Sequence, residues 1–292
     1  MRIGFIGFGE AGRAFRDSLA ATESTLAFAA WDRLLPGEGA EGPCRAALRE
    51  RGVVEAARDT GMPDADWIFS AVTADQSLEA AIDACAWLRP GQVFFDINSV
   101  SPDRKRETSA RVSATGATYV DMAVMAPVHP KGHRTPVLLA GPCSAALLDR
   151  LAALGFDFEV VGAEPGAATA IKMVRSLFVK GLEAITVEAL LAAQASGCRD
   201  YILSSLSGSY PGLGWPAFAG YEFERTMKHG KRRAAEMRES AATLDALGLH
   251  GALAHAIADV QEAMGALGAS PPDFSDVAPD LSALVKLRRG VA

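Results

Sequence analysis

The chain has 292 residues, 49% of them hydrophobic and 22% charged, with a formal net charge of −6. That length accommodates two domains of ordinary size, and the composition excludes a disordered chain. The acidic balance and the absence of a basic arm or tail exclude a nucleic-acid binder held by charge.

The four cysteines (Cys44, Cys85, Cys143, Cys198) include no C-x-x-C pair, which fits neither a disulfide framework nor a zinc site, and no metal is expected. The amino terminus enters an apolar strand at once, leaving no room for a cleavable signal, and no apolar run approaches the ~20 residues that span a bilayer. A soluble, cytoplasmic protein without membrane partners is expected.

In chain order, Ile3, Phe5 and Ile6 form a short buried strand that runs into Gly7-Phe8-Gly9-Glu10-Ala11-Gly12 and a helix over 14–21. This G-x-G-x-x-G between strand and helix predicts a dinucleotide turn. Gly7 makes the tight bend, Gly9 lets the backbone approach a pyrophosphate, and Gly12 lets helix and strand pack closely. Residues 26–32 read as a second strand ending in Asp32, twenty positions beyond Gly12, where a carboxylate meets the adenosine ribose. Asp32 favours NAD by repelling a 2′-phosphate. Arg33 beside it could accept that phosphate or stack on adenine, and the balance tips toward NAD over NADP.

Further strands are expected at 52–56, 65–72, 92–97, 119–124, 137–140 and 156–161, and Val72 and Thr73 end the fourth against the cofactor. Helices are expected at 44–50, 73–88, 102 onward (capped by Ser101, with Pro102 at its first position) and 144–154. Strands alternating with helices indicate an α/β, Rossmann-type, doubly wound parallel sheet over 1–163. From Ala167 to about Ser196 apolar residues recur at helical spacing, a run long enough for an interdomain helix. Beyond it helices are expected at 199–207, 218–227, 231–247, 252–267 and 281–288. An all-α domain over 164–292 follows, with broad apolar faces that predict a homodimer. The basic stretch 228–233 shares its predicted helix with Glu236 and Glu239 and reads as a solvated face.

A nicotinamide cofactor needs a group that moves the proton of the substrate oxygen. Lys172 is the candidate, near the start of the long helix and next to the domain junction. Ser176 lies one turn on, Val179 and Glu183 continue the stripe, and Arg175 sits slightly off it. Spacing alone favours a surface lysine on an amphipathic helix, while the flanking Ile171, Met173 and Val174 argue against full exposure.

These segments resemble the 3-hydroxyacid dehydrogenases, which share their plan with 6-phosphogluconate dehydrogenase. Gly7 to Gly12 is similar to the family's glycine motif, with Ala11 where methionine is common. Asp96-Ile97-Asn98-Ser99-Val100-Ser101-Pro102 resembles its Asp-x-Ser-Thr-x-x-Pro segment beside the nicotinamide, with Asn98 and Ser99 at the two polar positions. Asp121-Met122-Ala123-Val124-Met125-Ala126 aligns with its Asp-Ala-Pro-Val-Ser-Gly substrate loop, and Gly166 to Lys172 has its glycine-to-lysine spacing. The resemblance implies an oxidoreductase that passes hydride between nicotinamide and a CH–OH or C=O carbon of a small polar, anionic substrate. Lys172 is then the general acid/base and Asn98 and Ser99 position substrate.

Two departures stand out. Met125, Ala126 and Pro127 cannot make the contacts of the family's serine and glycines, and Ser176 replaces an asparagine. In compensation, His129, Lys131, His133 and Arg134 are grouped as a possible anion or polyol site. In this architecture the far wall of the cleft comes from the helical domain or a partner's copy, which makes His229 a further substrate candidate. The chain looks closest to a branch, called phosphogluconate dehydrogenase-like, with its own carboxy-terminal helical domain. The alternatives are an imine reductase of the same fold, which typically lacks the lysine, and a dinucleotide-binding sensor without turnover.

Overall fold

The computed structural model describes residues 1–274 and 279–290. The chain divides into two compact units, Met1–Lys172 and Met173–Ala292.

The first unit is built on an eight-stranded sheet of β1 (Arg2–Ile6), β2 (Ala27–Trp31), β3 (Val54–Glu55), β4 (Trp67–Ser70), β5 (Val93–Asp96), β6 (Thr118–Val124), β7 (Val137–Ala140) and β8 (Phe158–Gly162). Their order is β3-β2-β1-β4-β5-β6-β7-β8. β1 to β6 run parallel, and between them lie α1 (Glu10–Thr22), α2 (Pro43–Glu50), α3 (Ser77–Cys85) and α4 (Pro102–Ser113). Alternate strand residues enter opposite faces, as a period of two requires. Phe5, Phe69 and Phe95 join one apolar cluster, while Ile68, Phe94 and Tyr119 join another. Burial on both faces explains why these strands read as unbroken apolar runs.

β7 departs from the expected all-parallel sheet. It pairs antiparallel to β6, with Val124 opposite Val137, and β8 pairs parallel to β7 after α5 (Ala145–Ala153). The cause is the connection, because the twelve residues 125–136 contain only a 3-10 turn and no crossover helix. A parallel return usually runs through a crossover helix, and this connection has none.

The second unit is helical. α6 (Ala167–Ala195) enters it, and α7 (Arg199–Ser209), α8 (Ala217–Ala246), α9 (Ala252–Gly265) and α10 (Ser282–Arg288) follow. α8 is one helix of 30 residues where two were expected. Gly230, which reads as a breaker, is instead a contact point. A Cβ there would lie 2.1 Å from the Gln261 carbonyl oxygen of α9, and one on Gly265 would lie 2.7 Å from the Lys231 nitrogen. Two facing glycines thus let α8 and α9 cross closely. In the same unit, buried Glu183 accepts from Arg233 Nε and from Gln261 Nε2, each at 2.7 Å. Lys180 Nζ pairs with Glu236 at 2.9 Å.

Candidate functional site

The strand order reverses between β1 and β4, and in open α/β sheets ligands bind in the crevice at the carboxyl ends of such strands. The glycine turn ends β1 at that place. Gly7 has φ +85°, a conformation that disfavours any side chain, and a Cβ on it would lie 2.5 Å from the Ala71 carbonyl oxygen beyond β4. A Cβ on Gly12 would lie 2.7 Å from Gly7 O. Those two glycines are explained by the protein's own packing.

Gly9 is different: a Cβ there would meet nothing within 4 Å, and its φ of −80° suits other residues. It is also the N-cap of α1 without a side-chain cap, beside exposed Glu10 and half-buried Ala11. The uncapped amide groups and the helix dipole favour an anion here. The residues present therefore fit a dinucleotide pyrophosphate, which Gly9, Glu10 and Ala11 would hold through the backbone.

Asp32 anchors the turn from β2. Its Oδ2 accepts from the Phe8 N–H at 2.7 Å and its Oδ1 from the Leu34 N–H at 3.0 Å, while the Phe8 ring is fully buried. The Arg13 guanidinium donates to Phe8 O at 2.7 Å. Arg33 is exposed, and its charge helps Thr73 and Gln76 hold the Asp75 carboxyl below its usual range, Thr73 contributing most. Burial, then the carboxylates of Asp32 and Glu38, push the Cys44 thiol up to about 11, so it stays protonated at neutral pH.

Beyond β5, Asn98 is only 4% exposed and its amide is committed. Its Oδ1 accepts from the Val72 N–H at 2.7 Å, and its Nδ2 donates to Ser70 Oγ at 2.9 Å and Asp96 Oδ1 at 2.8 Å. Both amide hydrogens are thus spent, one on tying the end of β5 to β4 and one on the Asp96 carboxylate just before it. Ser99 follows, half-buried, and its Oγ accepts a hydrogen bond from Lys172 Nζ at 2.6 Å. Lys172 is itself half-buried on the first turns of α6. Two residues 73 positions apart, each singled out from the sequence, are in direct contact.

Beneath this pair is a buried ionic cluster absent from the sequence-based expectation. Asp96 and Asp121 are register partners on β5 and β6 and are fully buried. Lys105 of α4, with no exposed surface, places its Nζ 2.6 Å from Asp96 O, 3.0 Å from Asp96 Oδ1 and 3.4 Å from Asp121 Oδ1. Asp96 also accepts from the Tyr119 hydroxyl at 2.9 Å. Asp121 accepts from the Gly166 and Thr169 N–H groups, each at 3.0 Å, and from Thr169 Oγ1 at 2.7 Å, which caps α6. Burial, then the charges of Asp96 and Asp121, push the Tyr119 phenol well above its ordinary range, so it remains a donor.

The loop after β6 does not gather the expected donors. Met125 is half-buried and spends its N–H on Pro136 O at 2.9 Å, and Ala126 is exposed. His133 turns inward, with Nδ1 2.7 Å from Ser18 Oγ and Nε2 2.8 Å from Leu154 O, and burial lowers its pKa. Lys131 and Arg134 border a groove of about 440 Å³ with Ser18, Ala21, Thr22 and Pro130. Ser18, Ala21 and Thr22 lie in the second half of α1, and Ser18 is ~12 Å along the helix from Glu10 at its usual rise per residue. His129 is exposed. The four-residue cluster is therefore split, because a buried imidazole serves packing here.

In the helical unit Ser176 is buried, Arg175 exposed, and His229 half-buried on α8 near Glu224. Among the described residues no helix is long and apolar enough to cross a membrane. No group of three or more His, Cys, Asp or Glu among them could hold a metal ion.

The profile of the NAD-binding domain of 6-phosphogluconate dehydrogenase matches residues 2–152, and a domain of unknown function (DUF1932) matches residues 193–264. A conserved hypothetical protein of Sinorhizobium meliloti 1021, known as a crystal structure, is 33% identical with TM-score 0.76, over 100% of this chain and 97% of that one. The 2-(hydroxymethyl)glutarate dehydrogenase of Eubacterium barkeri is 26% identical over 76% of this chain and 73% of its own. The 3-hydroxyisobutyrate dehydrogenase of Salmonella typhimurium shares the fold at TM-score 0.68 and 20% identity, over 98% of this chain and 99% of that one. The chain belongs to the family of NAD(P)-dependent oxidoreductases built on the NAD-binding domain of 6-phosphogluconate dehydrogenase, with an eight-stranded Rossmann-type sheet followed by long helices.

Proposed function

We propose that this protein is a dehydrogenase or reductase acting on a CH–OH or C=O carbon of a small polar, anionic substrate, with Lys172 as its general acid/base. The observation that carries the proposal is the 2.6 Å contact of Lys172 Nζ with Ser99 Oγ. A lysine on an amphipathic helix that only faced solvent would have no reason to meet a hydroxyl of the strand-end loop. A dinucleotide held along Gly9, Glu10 and Ala11 would supply or accept the hydride. The chain's own part is to hold the substrate oxygen and move its proton.

In oxidation, neutral Lys172 takes the hydroxyl proton; in reduction, its ammonium form returns a proton to the carbonyl oxygen. Ser99 accepts from Lys172, and its own hydrogen is free to orient the substrate oxygen. Asn98 acts indirectly, by holding Ser99 and Val72 in place. Gly7, Phe8, Gly9, Glu10, Ala11, Gly12, Val72 and Thr73 form the cofactor wall. Asp32 is the ribose ligand and favours NAD, with Arg33 beside it. Ser176 is assigned to catalysis beside Lys172, and Arg175 and His229 to substrate binding. The dinucleotide domain is taken as 1–163 and the substrate domain as 164–292, the latter joining two copies as a dimer.

Loss of NADH absorbance across a panel of semialdehydes, keto acids and cyclic imines tests the proposal. Turnover on carbonyl compounds bearing a carboxylate is expected. Turnover on imines alone would replace it with an imine reductase, and an inert protein that still binds NADH would replace it with a sensor.

A further inference from the structure

We propose that Lys105 is a positioning residue that sets Lys172 against Ser99, acting through the two carboxylates it bridges. The proposal rests on the assignment of Lys172 made above. Ser99 and Lys172 belong to different elements, and each is held by one carboxylate. Asp96 accepts from the Asn98 N–H at 3.0 Å and from its Nδ2 at 2.8 Å, one residue before Ser99. Asp121 holds the first turn of α6 through Gly166 and Thr169, three residues before Lys172.

Lys105 joins the two halves. Its Nζ has three hydrogens and three acceptors: Asp96 O, Asp96 Oδ1 and Asp121 Oδ1. Each carboxylate in turn takes four donors, counting Lys105, Tyr119 and the two Asn98 groups for Asp96. For Asp121 the four are Lys105, the Gly166 N–H, the Thr169 N–H and the Thr169 hydroxyl. A cluster so fully satisfied has one low-energy arrangement, and removing any member leaves a buried charge short of partners. The start of α6 is also pressed onto the start of α4, where a Cβ on Gly166 (φ +96°) would lie 2.9 Å from Pro102 O. Small shifts at Lys105 therefore reach Lys172 along covalently short paths.

The test reads Lys172 without a substrate, by peptide-resolved acylation with an N-hydroxysuccinimide acetate reagent across the neutral to alkaline range. NADH binding, followed by fluorescence, and thermal unfolding are measured on the same samples. Ser99→Ala is expected to change the Lys172 acylation rate by roughly 2- to 12-fold and to move its pH profile, the effect of losing one ordinary hydrogen bond. Lys105→Met and Thr169→Val, which leave Lys172 and Ser99 intact, are expected to reproduce that moved profile while NADH still binds. Thr169→Ser, which keeps the hydroxyl, is expected to return it to that of the wild type. If Lys105→Met fails to fold, Thr169→Val decides. A wild-type profile in folded, NADH-binding Lys105→Met or Thr169→Val overturns the proposal, as does a wild-type profile in Ser99→Ala. A moved profile in a protein whose Lys172 proves unnecessary for turnover would leave the positioning role standing and remove the assignment of the base.

Discussion

The three glycines of the first turn have separable duties, and Gly9 is where fold and ligand part company. Gly9→Ala places a methyl group where nothing lies within 4 Å, on an extended backbone with φ −80° and ψ −152°. The substitution restricts the unfolded chain and is expected to stabilise the protein by about 0.4–1 kcal/mol. The same methyl group occupies the space in front of the uncapped α1 amides. A dinucleotide then loses at least one charge-assisted hydrogen bond, about 1.5–3 kcal/mol, or roughly 10- to 150-fold in Kd for NADH. Gly12→Ala, with Gly7 O only 2.7 Å from the new carbon, is expected to cost about 1–3 kcal/mol in stability instead. Urea unfolding beside NADH fluorescence titration reads both quantities. Wild-type affinity in Gly9→Ala would show that the open space is not where the pyrophosphate sits.

Three further outcomes follow from the structure. Burial raises the Glu222 carboxyl from 4.5 to about 7, and its Oε2 is buried without a hydrogen-bond partner. The folded state then keeps a proton that the unfolded chain releases, so stability falls as pH rises from 4.5 through 7, by at most about 3 kcal/mol. Glu222→Gln should be more stable than the wild type at pH 8, with that advantage gone near pH 4.5; parallel pH–stability curves would refute this. Arg233→Met strands the buried Glu183 carboxylate and should cost about 3–5 kcal/mol in urea unfolding, most of it regained when Glu183→Met is added. An additive double variant would count against this pairing. Asp32→Ser should weaken NADH binding while narrowing the gap to NADPH, and an unchanged ratio of the two affinities would remove Asp32 from the ribose.

What could be read from the sequence had a local signal. Gly7 to Gly12 announced a turn because strand, glycines and helix are contiguous, and α6 announced itself by its length. Lys172 stood out through its apolar flanks. Lys105 did not, since Arg104 and Arg106 beside it make α4 read as a uniformly polar helix. A signal was present all the same: Pro102, Lys105, Thr108 and Val112, spaced three and four apart, are the buried face of α4. Two aspartates on adjacent apolar strands also call for a cation. His133 failed in the opposite direction, because a histidine among lysine and arginine looks solvated until Ser18, far away in the chain, supplies its partner. Gly230 misled because intrinsic propensity marks a break, while a close helix crossing requires a glycine there. The misses at His133 and Gly230 concern partners distant in sequence, where local pattern carries no information.

The most direct measurement is single-turnover oxidation of bound NADH by Lys172→Ala and the wild type, on whichever carbonyl compound the panel identifies. Lys172→Ala should bind NADH as the wild type does and lose the rate by a factor of ~10² or more. A rate near that of the wild type would contradict the assignment of Lys172 as the group that moves the proton.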